Sequence, residues 1–217
     1  MNTDSNLKGI MCMMGGMCIM MFCGCFYLWA NISVYVLSYL YKFNPDVNHN
    51  AIFYVDTALV LLNVAGYQIG SYLLNVRKIN PKVIVTLGMS ISLGGIILSS
   101  YSESLWGFMF CYGFFSGIGS GMMYMIPLVC CWEYFPSKKG FVTGFIVGSY
   151  GVGSFIFSQI STRYINPENL DADIYINDDL SYYKEEVANR VPGCLRLMVM
   201  IWACQVTLGI LLISRPG

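Results

Sequence analysis

Residues 113–153 read GFFSGIGSGMMYMIPLVCCWEYFPSKKGFVTGFIVGSYGVG. The stretch falls within two apolar helices, residues 105–134 and 141–162, joined by a tight loop carrying Pro136, Lys138 and Lys139. Each run reaches the roughly 20 residues that cross a hydrocarbon core, so together they form a membrane hairpin. Gly113, Gly117 and Gly121 recur every fourth residue on the first helix, and Gly140, Gly144 and Gly148 do the same on the second. Residues four apart share a helix face, so each helix presents a stripe without side chains that another backbone can approach. Both stripes are expected to be helix contacts. Tyr124 and Tyr150 stand beside them. A phenol inside lipid needs a partner, so something polar is expected between the two rings.

Composition agrees with a membrane setting: 56% hydrophobic, 15% aromatic and 11% charged residues, with no net charge, and a mean hydropathy of +0.59. These values lie outside the soluble globular range. The zero balance carries no message about nucleic acid, and no basic tract is long enough to bind it, so nucleic acid is not an expected partner. All nine cysteines (Cys12, Cys18, Cys23, Cys25, Cys111, Cys130, Cys131, Cys194 and Cys204) lie in or beside apolar segments. Neither Cys23-x-Cys25 nor Cys130-Cys131 has zinc spacing, and they read as small packing residues. The single histidine, His49, offers no catalytic pair. Without a Ser/His/Asp set or a phosphate-binding glycine loop, no enzyme chemistry, metal or cofactor is expected.

Outward from the hairpin, a polar tail (residues 1–8) leads into a first span at 9–41, longer than a bilayer crossing requires, and so tilted or projecting. Its length, and the lack of a small-residue cleavage pattern after a basic stretch, argue against a cleavable signal peptide. The second half of that span interleaves Tyr27, Trp29, Asn31, Ser33, Tyr35, Ser38 and Tyr39 with apolar residues, so it should face protein or a water-filled cavity. The Asn31-Ile32-Ser33 sequon lies within the span, out of reach of glycosylation. The remaining spans fall at 51–74, 83–100, 105–134, 141–162 and 193–214. Asp56, Asn63 and Gln68 lie in the second, where Asp56 is either a cavity carboxylate or an exposed group at the membrane edge. Arg196, near the start of the sixth, should reach the interface. A polar loop, 163–192, holds at most a weak helix over 180–189, and 215–217 begin a further loop or end the chain.

Basic residues concentrate in the loop after the second span (Arg77, Lys78, Lys82) and the loop after the fourth (Lys138, Lys139). By the positive-inside rule both termini are expected in the cytoplasm, in either the plasma membrane or an internal one.

Four segments carry a family resemblance: FYLW at 26–29, SGIGSGMMY at 116–124, YFPSKKG at 134–140 and GFIVGSYGVG at 144–153. With them, the chain resembles the N-terminal six-helix half of the major facilitator superfamily, in its oxalate:formate antiporter and monocarboxylate porter branch. The implied fold is all-α integral membrane, a six-transmembrane-helix half of the major facilitator fold. The implied activity is secondary transport of small organic anions. The resemblance also assigns Tyr27, Tyr124 and Tyr150 to the substrate cavity, where a phenol can donate to a carboxylate while its ring gives apolar contact. Asp56 replaces a neutral amide of the bacterial antiporter pattern, which argues against a dicarboxylate and leaves proton coupling open. Asn75 stands where the family's gate loop has an aspartate, about two residues further from Pro81.

The branch binds its anion with basic residues on helices eight and eleven, in a second six-helix half. Besides the lipid bilayer and the anion, that half is the expected partner. The alternatives are a non-transporting six-helix partner or assembly subunit, and a half-transporter that homodimerises around a neutral or cationic solute.

Overall fold

The computed structural model describes residues 3–45, 47, 50–172, 174–177 and 180–216; His49 lies outside them. Six helical runs are long and apolar enough to cross a membrane: Asn6–Tyr41, Asn50–Asn75, Pro81–Ser99, Leu105–Tyr134, Pro136–Ile165 and Glu185–Leu212. They are called the first to sixth spans below. At 36 residues the first extends about 54 Å along its axis, well beyond a hydrocarbon core of about 30 Å.

Two spans depart from regular α-helix. A 3₁₀ segment, Gly24–Tyr27, divides the first into Thr3–Cys23 and Leu28–Tyr41. The fourth carries a π-helical stretch, Met109–Ser116. The irregularities adjoin: the Trp29 ring lies 5.9 Å from Phe108 and 5.3 Å from Tyr112.

The fourth span is the hub, packed against the first, second and third. Its glycine stripe is a contact, as expected. A Cβ on Gly117 would stand 3.0 Å from the Leu59 carbonyl oxygen, and one on Gly121 would collide with the Asn63 carbonyl. The second span answers with Gly66 and Gly70, which lie directly on fourth-span backbone.

The fifth-span stripe makes no such contact within this six-helix unit. A Cβ built on Gly140, Gly144 or Gly148 meets nothing within 4 Å. This span packs instead through Val142, Ile146, Ser149, Gly153 and Phe157, about 200° around the helix from the glycines at 100° per residue. Four-residue spacing identifies a face but not which face turns inward.

At one end of the bundle, Lys82 Nζ donates to the Leu211 carbonyl at 3.0 Å. Arg215 grips both carboxylate oxygens of Glu133 at 3.0 and 2.5 Å. The Tyr134 hydroxyl lies 2.9 Å from Ser214 Oγ, and Cys12 Sγ donates to the Ser214 carbonyl at 3.3 Å. These contacts gather the two basic loops, the start of the first span and the end of the sixth.

The opposite end carries a small cap, in which the weak helix expected over 180–189 is a single turn that follows a pair of strands. Strands β1 (Ile174–Asn177) and β2 (Leu180–Tyr182) pair antiparallel, and a single helical turn follows at Glu185–Ala188. The cap clasps the first span. Tyr182 stacks on Tyr41 at 4.4 Å and its hydroxyl donates to the Val47 carbonyl at 2.8 Å. The Tyr183 ring lies 4.6 Å from Tyr35, its backbone N–H donates to Ser38 Oγ at 3.0 Å, and Lys42 pairs with Glu185. Burial pushes the Tyr183 phenol up to about 12. The polar second half of the first span thus faces protein: Ser33, Tyr35, Ser38 and Tyr39 are all buried.

Arg196 does not run freely to water. Its Nε donates to Ser100 Oγ at 3.1 Å, and the guanidinium lies 4.1 Å above the Tyr101 ring, capping the end of the third span. Asn31 accepts from Thr162 Oγ1 at 3.4 Å inside the bundle. All nine cysteines are free thiols; six are buried and only Cys204 is exposed, in keeping with a packing role.

Candidate functional site

The structure brings Tyr27, Tyr124 and Tyr150 together and adds a fourth ring. Tyr27 meets Tyr150 at 5.3 Å with planes at 81°. Tyr150 meets Tyr124 at 6.0 Å and 76°, and Tyr124 meets Tyr67 at 4.8 Å and 41°. The row therefore runs across the first, fifth, fourth and second spans. The first two contacts are edge-to-face, the geometry that aromatic quadrupoles favour. Tyr27 is 60% exposed, while the other three are half-buried.

Close backbone contacts hold each ring in place. Gly24, three residues before Tyr27, lies on the Tyr150 carbonyl, and Gly153, three residues after Tyr150, lies on Met21 backbone. Gly121, three residues before Tyr124, meets Gly66, which immediately precedes Tyr67. Where helix backbones touch, the Cα positions of adjacent residues are set by the contact, so the four phenols project from rigid points.

A buried polar network lies beside the row. Asn63 Nδ2 donates to Ser120 Oγ at 2.9 Å and to the Gly117 carbonyl at 3.3 Å. Ser120 Oγ donates to the Ser116 carbonyl at 2.6 Å, and Cys23 Sγ to the Ser120 carbonyl at 3.7 Å. These bonds join the first, second and fourth spans one helical turn from Tyr67.

Tyr124 and Tyr150 meet each other directly rather than through the polar group expected between them, and the other two phenols flank the pair. Tyr67 escaped the sequence reading, which singled out its neighbours Asn63 and Gln68. Its signal was available: Gly66-Tyr67 with Gly70 repeats the pairing of a small-residue stripe with a tyrosine seen in the fourth and fifth spans.

Asp56 is exposed. It precedes Tyr67 by 11 residues on one helix, so it lies on nearly the same side but about 16 Å away along the axis. It stands apart from the row. The twelve lysines and arginines all lie in loops or within about two turns of a helix end. The row therefore offers phenol donors and ring faces without a cation. Such a surface can accept a small carboxylate by hydrogen bonding and apolar contact, and needs its positive charge from elsewhere. Among the described residues no three His, Cys, Asp or Glu side chains converge as a metal site.

Fold and site together describe an all-α, multi-pass integral membrane protein of six spans, consistent with a half of the major facilitator fold. No protein-family model matches the chain. Its relatives are transporters. Apicoplast pyruvate carrier 1 of Toxoplasma gondii is 27% identical over 257 aligned positions, covering 96% of this chain and 46% of the carrier. The MFS-type transporter YhjX of Escherichia coli is 33% identical over 93 residues, covering 42% and 23%. Monocarboxylate transporter 9 of Rattus norvegicus is 31% identical over 83 residues, covering 38% and 16%. The chain thus spans about half the length, or less, of these relatives, all of which are named as transporters and none as an enzyme.

Proposed function

We propose that this chain is the N-terminal half of a secondary transporter for small monocarboxylates, oriented with both termini in the cytoplasm. The observation that carries the reading is the row of four tyrosines contributed by four separate spans. The hydroxyls bind the carboxylate, the rings exclude water and contact the short carbon chain, and the countercharge comes from a second six-helix unit. The pyruvate carrier and monocarboxylate transporter among the relatives support this substrate class. The clustering of Arg77, Lys78, Lys82, Lys138 and Lys139 at the end that holds the chain termini supports the orientation.

The open fifth-span stripe favours a second unit over a free-standing bundle. Gly140, Gly144 and Gly148 leave a flat strip, with Phe141, Phe145 and Val152 exposed near it. Small residues at four-residue spacing serve close helix contact in membranes. A second six-helix half seated there would enclose the row at the midplane, the arrangement in which rocking of two halves gives alternating access.

The test is tracer uptake by the protein purified from its native membrane and reconstituted in liposomes. Saturable uptake of pyruvate or lactate, weakened in Tyr150→Phe without loss of folded protein, supports the reading. Uptake of a cationic solute in preference to either acid refutes it.

A further inference from the structure

Tyr67 lies outside the positions that the family resemblance assigns to the cavity; its place comes from the geometry. Its ring terminates the row, 4.8 Å from Tyr124. Its backbone is held on three sides. Asn63, one turn before it, is buried and donates to Ser120 Oγ and the Gly117 carbonyl. Gly66 lies on the Ile118 carbonyl and the Gly121 Cα, and Gly70 on Met122 backbone. The Tyr67 Cα therefore cannot leave the row unless the second and fourth spans separate. The two ends of the row therefore differ. Tyr27, at the far end, is 60% exposed and follows directly on the 3₁₀ break in its span. Tyr67 is a fixed wall, whereas the Tyr27 end is open.

We propose that Tyr67 determines the chain length of the carboxylate that the site accepts, its ring closing the second-span end against longer or branched acyl groups. This rests on the monocarboxylate reading of the row. An anion held by the central hydroxylic groups directs its carbon chain along the aromatic faces, and the chain stops where a wall cannot yield. Removing the ring leaves Asn63, Gly66 and Gly70 in contact with the fourth span, so the wall opens without loosening the helices. A single methylene in an apolar pocket is worth about 10- to 200-fold in discrimination.

The experiment compares pyruvate with 4-methyl-2-oxopentanoate in proteoliposomes of the full native protein, reading KM for each acid. In Tyr67→Ala the ratio of the two KM values should move at least about tenfold toward the longer acid. Tyr67→Phe, which keeps the ring, should leave the ratio within about twofold of wild type. Tyr67→Leu should fall between them, and keeps the test open should the alanine variant fail to fold. An unchanged ratio in Tyr67→Ala and Tyr67→Leu, with both acids losing transport together, assigns Tyr67 a packing role and overturns the proposal. The wild-type arm separates the two claims: if wild type carries neither acid, the monocarboxylate reading falls and this assignment falls with it.

Discussion

A methyl group added at Gly121 should damage this bundle, whereas the same change at Gly144 should not. The new Cβ at Gly121 would collide with the Asn63 carbonyl and stand 3.0 Å from Gly66 Cα, so it meets backbone on both counts. Backbone cannot rotate aside, and the second and fourth spans must part. Overpacking of this kind costs about 1–3 kcal/mol. Separation also stretches the two bonds from Asn63 to Ser120 and Gly117, together worth about 1 kcal/mol at the value of roughly 0.6 per bond found inside membranes. The sum is about 2–4 kcal/mol, or roughly 5–15 °C in Tm at about 2–4 °C per kcal/mol for a chain of this size. In this six-helix unit alone, Gly144→Ala enters open space and should shift Tm by less than about 2 °C, within the ±0.5 kcal/mol of a surface change. The buried thiols Cys12, Cys23, Cys25, Cys130, Cys131 and Cys194 provide the assay, because a thiol-reactive dye reports their exposure as the detergent-solubilised chain unfolds on heating. Equal shifts for the two variants, or none for Gly121→Ala, would refute the reasoning that backbone contact at the second–fourth interface holds the fold.

Four further outcomes follow from the same geometry. Tyr150→Phe keeps the edge-to-face contacts with Tyr27 and Tyr124 but removes the hydroxyl, so monocarboxylate affinity should fall by about 1 kcal/mol, roughly fivefold, with melting unchanged. Asp56→Asn should leave the fold intact because the side chain is exposed, with Tm within about 2 °C of wild type. Tyr182→Phe loses the bond to the Val47 carbonyl but keeps the ring on Tyr41. It should weaken the cap by about 1 kcal/mol, seen as faster amide exchange at Leu180–Tyr182 with the spans unaffected. Tyr183 has its phenol raised from 10.0 to about 12. Its contribution is therefore full below about pH 10 and lost as pH rises through about 12, so amide protection factors in the cap, corrected for the intrinsic base-catalysed rate, should fall in that window but hold constant between pH 6 and about 9.

The membrane class, the six crossings and the clustering of basic loops were all legible in the sequence, because they depend on quantities that a chain carries before it folds. Apolar run length measured against bilayer thickness decides the number of spans, and loop lysines and arginines mark one side. The tyrosines beside the stripes were legible too, since Tyr124 and Tyr150 are polar groups in runs that lipid would otherwise penalise. Which way a helix turns was not. Gly113, Gly117 and Gly121 have the same spacing as Gly140, Gly144 and Gly148, yet the first set lies against the second span and the other lies open. Rotation about a helix axis is set by all of its neighbours at once, and in a nearly uniformly apolar span no hydrophobic contrast records it. The 3₁₀ segment at Gly24–Tyr27 and the π-helix at Met109–Ser116 left no pattern either; they adjoin only in the fold, where Trp29 packs against Phe108 and Tyr112 across two spans. Tyr67 belongs with them. Its residue type and glycine neighbours stood in the sequence, but only the approach of the second span to the fourth, backbone against backbone, made it the end wall of a site.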